Sequence, residues 1–111
     1  METSNPSKFT TASKDLNQIV SDIQALVGLE TYSYDKASLA EGLALLRSTV
    51  TERVGTPDFE ESFDGGQYGD CLHLRFDGTS EQSILFVGHY DTVWPQGTLE
   101  KWDKATGTTQ D

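Results

Sequence analysis

The chain has 111 residues, 35% hydrophobic and 23% charged, and its 18 acids against 8 bases give a net charge of -10. That is the size of one domain, polar but too rich in apolar residues for wholesale disorder, and its acidity repels phosphate backbones and anionic lipid, which leaves metal ions and cationic groups as partners. Cys71 is the single cysteine, which excludes an intrachain disulfide and a thiolate metal cage; it reads as a buried small hydrophobe.

Residues 1–12, rich in Ser, Thr, Asn and Pro, have little to bury and read as a flexible tail. The same stretch lacks the apolar centre of a signal peptide, and no apolar run approaches the roughly 18 residues of a membrane span, so cytoplasm is the expected location. From Ser13 onward, Leu16, Ile19, Val20, Ile23, Leu26 and Val27 fall on one helical face, and Gly28 supplies a stop. After "LETYSYD", Leu39, Leu43, Leu46, Val50 and Val54 repeat every three or four residues up to Gly55 and Pro57, which predicts a second helix. Either Asp35 or Ser38 can cap it, since Ser38 with Glu41 fits a capping box.

The remainder reads as strands. "DFEESF" places Phe59 and Phe63 in the first, and "CLHLRF" alternates Leu72, Leu74 and Phe76 with Cys71, His73 and Arg75, so one face of the second is wet. "DGGQYGD" and "DGTSEQ" are the turns, because Gly beside Asp tolerates positive φ. The third, "ILFVG", is apolar without alternation, as expected of a strand covered on both faces. Two helices and three strands predict an α/β fold, helices packed on a partial mixed sheet. A doubly covered strand needs neighbours on both edges, and the nine residues after Trp102 are too few to supply them.

Catalytic and ligand groups in open α/β sheets gather at the carboxyl ends of strands, and His89 stands where "ILFVG" ends. Residues two apart on extended backbone point the same way, so His89 and Asp91 are neighbours and Tyr90 is turned aside. The pairing suits metal binding: one imidazole nitrogen ligates the ion while a carboxylate takes the other ring N–H. Gly88 would let a bulky group or ligand approach the backbone. With ten aspartates and two histidines the bare spacing also arises by chance, and an ordinary loop histidine fits it too. His73, within the alternating strand, reads as a surface residue. Trp94 and Trp102 would either line a cleft or anchor their loop to the core.

"GHYDTVWPQGTLEKW" resembles the first metal motif of the zinc-dependent peptidases and deacylases that include glutamate carboxypeptidase, acetylornithine deacetylase and succinyl-diaminopimelate desuccinylase: a strand ending in His-x-Asp-Thr-Val, then a Pro/Gly loop. "LVGLETYSYDKASLAEGLALL" is similar to the region between that family's first two helices, and "YGDCLHLRFDG" to the strand before its metal strand. The resemblance spans about Ser13 to Trp102, is strongest to the glutamate carboxypeptidase-like branch, and implies that residues 13–111 are the N-terminal part of a zinc-exopeptidase-like catalytic domain. It further implies that His89 ligates one of two zinc ions, that Asp91 clamps its ring in a catalytic role, and that substrates are small peptides or N-acyl amino acids.

The family continues with a Gly-Pro-Gly-x-x-Asp motif, a Glu-Glu pair, a further acidic ligand and a late histidine. None of these is present intact. "ATGTTQD" faintly resembles the Gly-Pro-Gly segment, which makes Asp111 a remote candidate ligand, four places after Gly107 where the family has five. A catalytic zinc normally takes three protein ligands, so a chain offering His89 is expected to be inactive alone. The alternative is a non-catalytic acidic α/β module that oligomerises or binds a partner through an incomplete sheet edge.

Overall fold

A computed structural model describes residues 15–103 and 108–109. The tail expected over 1–12 and the candidate ligand Asp111 lie outside them. The architecture is a small α/β arrangement of two helices and a two-strand antiparallel sheet.

Helix α1, Leu16–Gly28, ends as its spacing predicts, with Leu29 already extended. Helix α2 covers Lys36–Arg53, and Asp35 is the residue that caps it: its carboxylate accepts the Ser38 backbone N–H at 3.2 Å. Ser38 instead donates its hydroxyl to the Asp35 carbonyl at 3.0 Å. Past Val54 the chain reverses at Gly55, whose φ of 120° suits a residue without a side chain.

The helices are joined by the Arg53 guanidinium, which donates twice to the Asp22 carboxylate, at 2.7 and 3.0 Å. Leu39 and Leu43 of α2, at 1% and 8% exposure, are the buried large apolar residues among those described. The apolar face predicted for α1 forms but is left half open, with Leu16, Ile19, Val20, Ile23 and Val27 at 44–60% exposure.

Strands β1, Phe59–Phe63, and β2, Cys71–Arg75, pair antiparallel with Phe59 opposite Arg75 and Phe63 opposite Cys71. Within β2 the alternation is as read from its sequence, Leu72 and Leu74 half-buried against exposed Cys71, His73 and Arg75, but Phe76, expected on the covered face, lies past the strand and is 41% exposed. The outward position of the thiol corrects one expectation: Cys71 is exposed, because the register that half-buries the two leucines turns it to solvent. Arg47 of α2 reaches across to Glu60 at 3.0 Å and ties the hairpin to the helices.

The third strand is the larger correction. Residues 82–91 carry no regular secondary structure, and Ile84, Leu85, Phe86 and Val87 stand 79–89% exposed. A strand is defined by its ladder partners, and among the described residues this apolar run has none. In place of a mixed sheet there is one isolated parallel bridge, Tyr32 to Thr92, and a two-residue antiparallel pair of β3, Trp102–Asp103, with β4, Thr108–Thr109. No helix among the described residues is long and apolar enough to cross a membrane.

Candidate functional site

His89 and Asp91 lie together, but not at the end of a covered strand as expected: residues 82–91 have no regular secondary structure, so the contact comes from the loop itself. Nδ1 of His89 lies 3.0 Å from the Asp91 carbonyl oxygen and 3.2 Å from its carboxylate Oδ1. Both neighbours are acceptors, so the ring proton belongs on Nδ1 and the lone pair on Nε2, on an imidazole whose side chain is 83% exposed. Gly88 lies in open space, with no protein atom within 4 Å of an added Cβ, so no bulky group of the described residues makes the approach expected there.

The pair is held from a segment nearly sixty residues earlier. The Ser33 hydroxyl donates to Asp91 Oδ2 at 2.7 Å, and the Ser33 backbone N–H to the Thr92 carbonyl at 2.8 Å. The Thr92 N–H donates in turn to the Thr31 carbonyl at 2.8 Å, while the buried Thr31 hydroxyl donates to the Tyr90 carbonyl at 2.6 Å. Residues 31–33 and 90–92 are thus zipped by backbone and hydroxyl groups together. The Ser33 hydroxyl holds the Asp91 carboxyl below its usual range, against the opposing effect of partial burial, and the facing His89 lowers it further.

Tyr90 leaves in the other direction. Its phenol donates to the Asp70 carbonyl at 2.6 Å, and burial pushes its pKa up, so it remains a donor. Its ring runs beside Gly42 and Gly69, two positions where a Cβ would meet a neighbour: Thr31 at Gly42, the Tyr90 hydroxyl and Leu39 at Gly69.

Beyond the pair, the turn at residues 95–99 is pinned by Glu30, whose carboxylate accepts the N–H groups of Gly97 at 2.8 Å and Leu99 at 2.7 Å. These two bonds hold the Glu30 carboxyl below its usual range. Between α1, α2 and the segment from His89 to Trp102 lies a cleft of about 1190 Å³, walled by Leu26, Leu46, Trp94, Leu99 and Trp102 with His89 among them. Trp94 and Trp102 are 59% and 45% exposed, so they line this cleft and do not anchor their loop in a core. His73, far along β2, stacks its edge against Phe59 and takes no part.

The pair fits one coordination position for a metal ion: an imidazole with a free nitrogen and a carboxylate fixing its other edge. No third His, Cys, Asp or Glu joins it among the described residues. Sequence reasoning placed His89 and Asp91 together but missed Ser33, Thr31 and Glu30; the signal was the alternation of polar donors in "ETYSYD", which sets Thr31 and Ser33 on one side of an extended segment. Comparison with known proteins finds no family model, no curated relative and no solved structure that matches the chain.

Proposed function

We propose that this chain carries part of the site of a zinc-dependent hydrolase acting on amide bonds of small peptides or N-acyl amino acids, as its resemblance to the glutamate carboxypeptidase-like enzymes implies. His89 would ligate zinc through Nε2, and Asp91 would hold the ring. The observation that carries the reading is the imidazole geometry: Nδ1 faces two oxygens of Asp91, which leaves Nε2 as the ligating atom. Bound zinc supplies Lewis acidity toward an amide carbonyl and toward water near neutral pH. The cleft beside His89, with its two tryptophans and its aliphatic wall, offers an apolar surface to an acyl or side-chain group. The remaining ligands of the two-zinc site and the general base would come from residues outside those described or from another polypeptide. A cytoplasmic location belongs to the same reading, since an exposed free thiol such as Cys71 suits a reducing compartment.

Zinc uptake tests it. Purified protein titrated with zinc should bind the ion weakly, through a single imidazole, and His89→Ala should lose that binding while keeping the wild-type circular dichroism. Equal binding by both proteins would remove His89 from the site. Hydrolysis of an N-acyl amino acid by the 111-residue chain would show instead that the expectation of an incomplete site is wrong.

One observation favours a second reading, a non-catalytic partner-binding or self-associating module. Ile84, Leu85, Phe86 and Val87 form a continuous apolar run at 79–89% exposure, the feature that marks a surface awaiting a cover. Sedimentation over a range of concentrations distinguishes the two: association that Phe86→Lys abolishes, without zinc binding, favours the module.

A further inference from the structure

We propose that Ser33 is the positioning residue of the His89–Asp91 pair, acting through the carboxylate. The proposal takes from the preceding reading only that His89 is the ligating group; its geometry is independent of any metal.

A carboxylate two residues from an imidazole is free to rotate about its own side-chain bonds, and only some of its rotations present an oxygen to Nδ1. Asp91 is 43% exposed, so packing does not choose among them. Ser33 does. With Oδ2 bound to the Ser33 hydroxyl at 2.7 Å, Oδ1 is left 3.2 Å from His89 Nδ1, beside the Asp91 carbonyl that the same ring nitrogen meets at 3.0 Å, so Ser33 sets the side-chain half of this pair of acceptors. The hydroxyl also lies 2.9 Å from the Thr92 carbonyl, but it has a single proton, and the charged acceptor is both nearer and stronger. That carbonyl is already satisfied by the Ser33 N–H.

The donor needs no search of its own. Its backbone is fixed by the N–H groups of Ser33 and Thr92 bonding across the two segments, and the buried Thr31 hydroxyl pins the Tyr90 carbonyl between the members of the pair. A side chain of one carbon and one oxygen on so constrained a backbone has few placements to choose among, and the one observed puts its oxygen 2.7 Å from Asp91 Oδ2. The chain Ser33 to Asp91 to His89 then carries the order of the 31–33 segment out to an otherwise exposed ring. Ser33 does not touch the imidazole and is not placed to attack anything.

The tests are nitrogen-resolved NMR of the histidine rings in metal-free protein, at a fixed pH above the ordinary histidine pKa, and zinc titration of the same samples. Four proteins suffice: wild type, Ser33→Thr, Ser33→Val and Asp91→Ala. Threonine and valine share a shape and differ in the hydroxyl, so their comparison isolates the hydrogen bond from packing. We expect wild type and Ser33→Thr to hold His89 with its proton on Nδ1. Ser33→Val and Asp91→Ala should shift His89 part of the way toward the mixture shown by an unconstrained ring, the Asp91 carbonyl remaining as an acceptor, while His73 on β2 stays unchanged in all four. Zinc affinity should fall about tenfold in Ser33→Val, at the low end of the range for groups that orient a ligand. A His89 ring in Ser33→Val indistinguishable from wild type would overturn the proposal. A shifted ring in a series whose wild type takes up no zinc would leave Ser33 as the positioning residue and overturn the zinc reading instead.

Discussion

Leu39 and Leu43 are the large apolar side chains withdrawn from solvent among the described residues, so stability is concentrated where α2 meets the clamp. Leu39→Ala is expected to cost about 2–5 kcal/mol, read as a lower urea midpoint, because Leu39 is fully buried beside Gly69 and the Tyr90 hydroxyl, whose bond to Asp70 resists collapse into the gap. Gly42→Ala acts on the same place from the opposite sense: the added methyl would strike the Thr31 side chain, which holds the Tyr90 carbonyl. We expect a loss of about 1–3 kcal/mol, with chemical-shift changes reaching residues 89–92. Glu30 supplies a pH dependence. Its carboxyl is lowered first by the Gly97 N–H and then by the Leu99 N–H, so its contribution is complete above the ordinary glutamate value of about 4.3 and is lost as pH falls through the lower folded value. The Gly97 and Leu99 amide signals should therefore titrate together with a midpoint below about 4.3, and Glu30→Gln should abolish the transition.

At the scale of elements, the helices and the hairpin were legible because each carries its own period. The 3–4 spacing of α1 and α2 and the two-residue alternation of β2 need no distant partner to be read. Two caps fitted the start of α2 equally, and the backbone conformation decided for Asp35, whose extended φ and ψ are those of a cap. Asp35→Ala should accordingly cost about 0.5–2 kcal/mol in thermal unfolding, whereas Ser38→Ala, which removes a hydroxyl from inside the first turn, should cost less. The run "ILFVG" was misread for a physical reason. Its composition specifies that it prefers a dry environment, but a strand also requires neighbours, and among the described residues none pairs with it. The site was half legible on the same grounds: the two-residue spacing of His89 and Asp91 is local, while the hydroxyl that orients them comes from a partner 58 positions away.

For the molecule as a whole, apolar surface exceeds what the helices cover. The open face of α1 and the run from Ile84 to Val87 are two apolar surfaces that should bind an environment-sensitive dye such as anilinonaphthalene sulfonate. Replacing Ile84 and Phe86 by Thr should weaken that fluorescence while the far-ultraviolet circular dichroism holds, since neither side chain supports a helix or strand. Unchanged fluorescence would place the dye on α1. The net charge of -10 works against association and favours a dispersed chain at low ionic strength, so added salt should increase self-association before it alters secondary structure. The bridge from Tyr32 to Thr92 bears on how this chain comes together in time. Closing a loop of about sixty residues carries an entropic cost of about 3.6 kcal/mol from its length alone, about twice that of the short turn between β1 and β2. The local hairpin and helices can therefore organise while the polypeptide is still emerging from the ribosome, but the imidazole acquires its orientation only after Thr92 has been synthesised and has found its early partner. Any ion-gripping capacity would be among the last properties the nascent chain gains and, on heating, among the first it gives up.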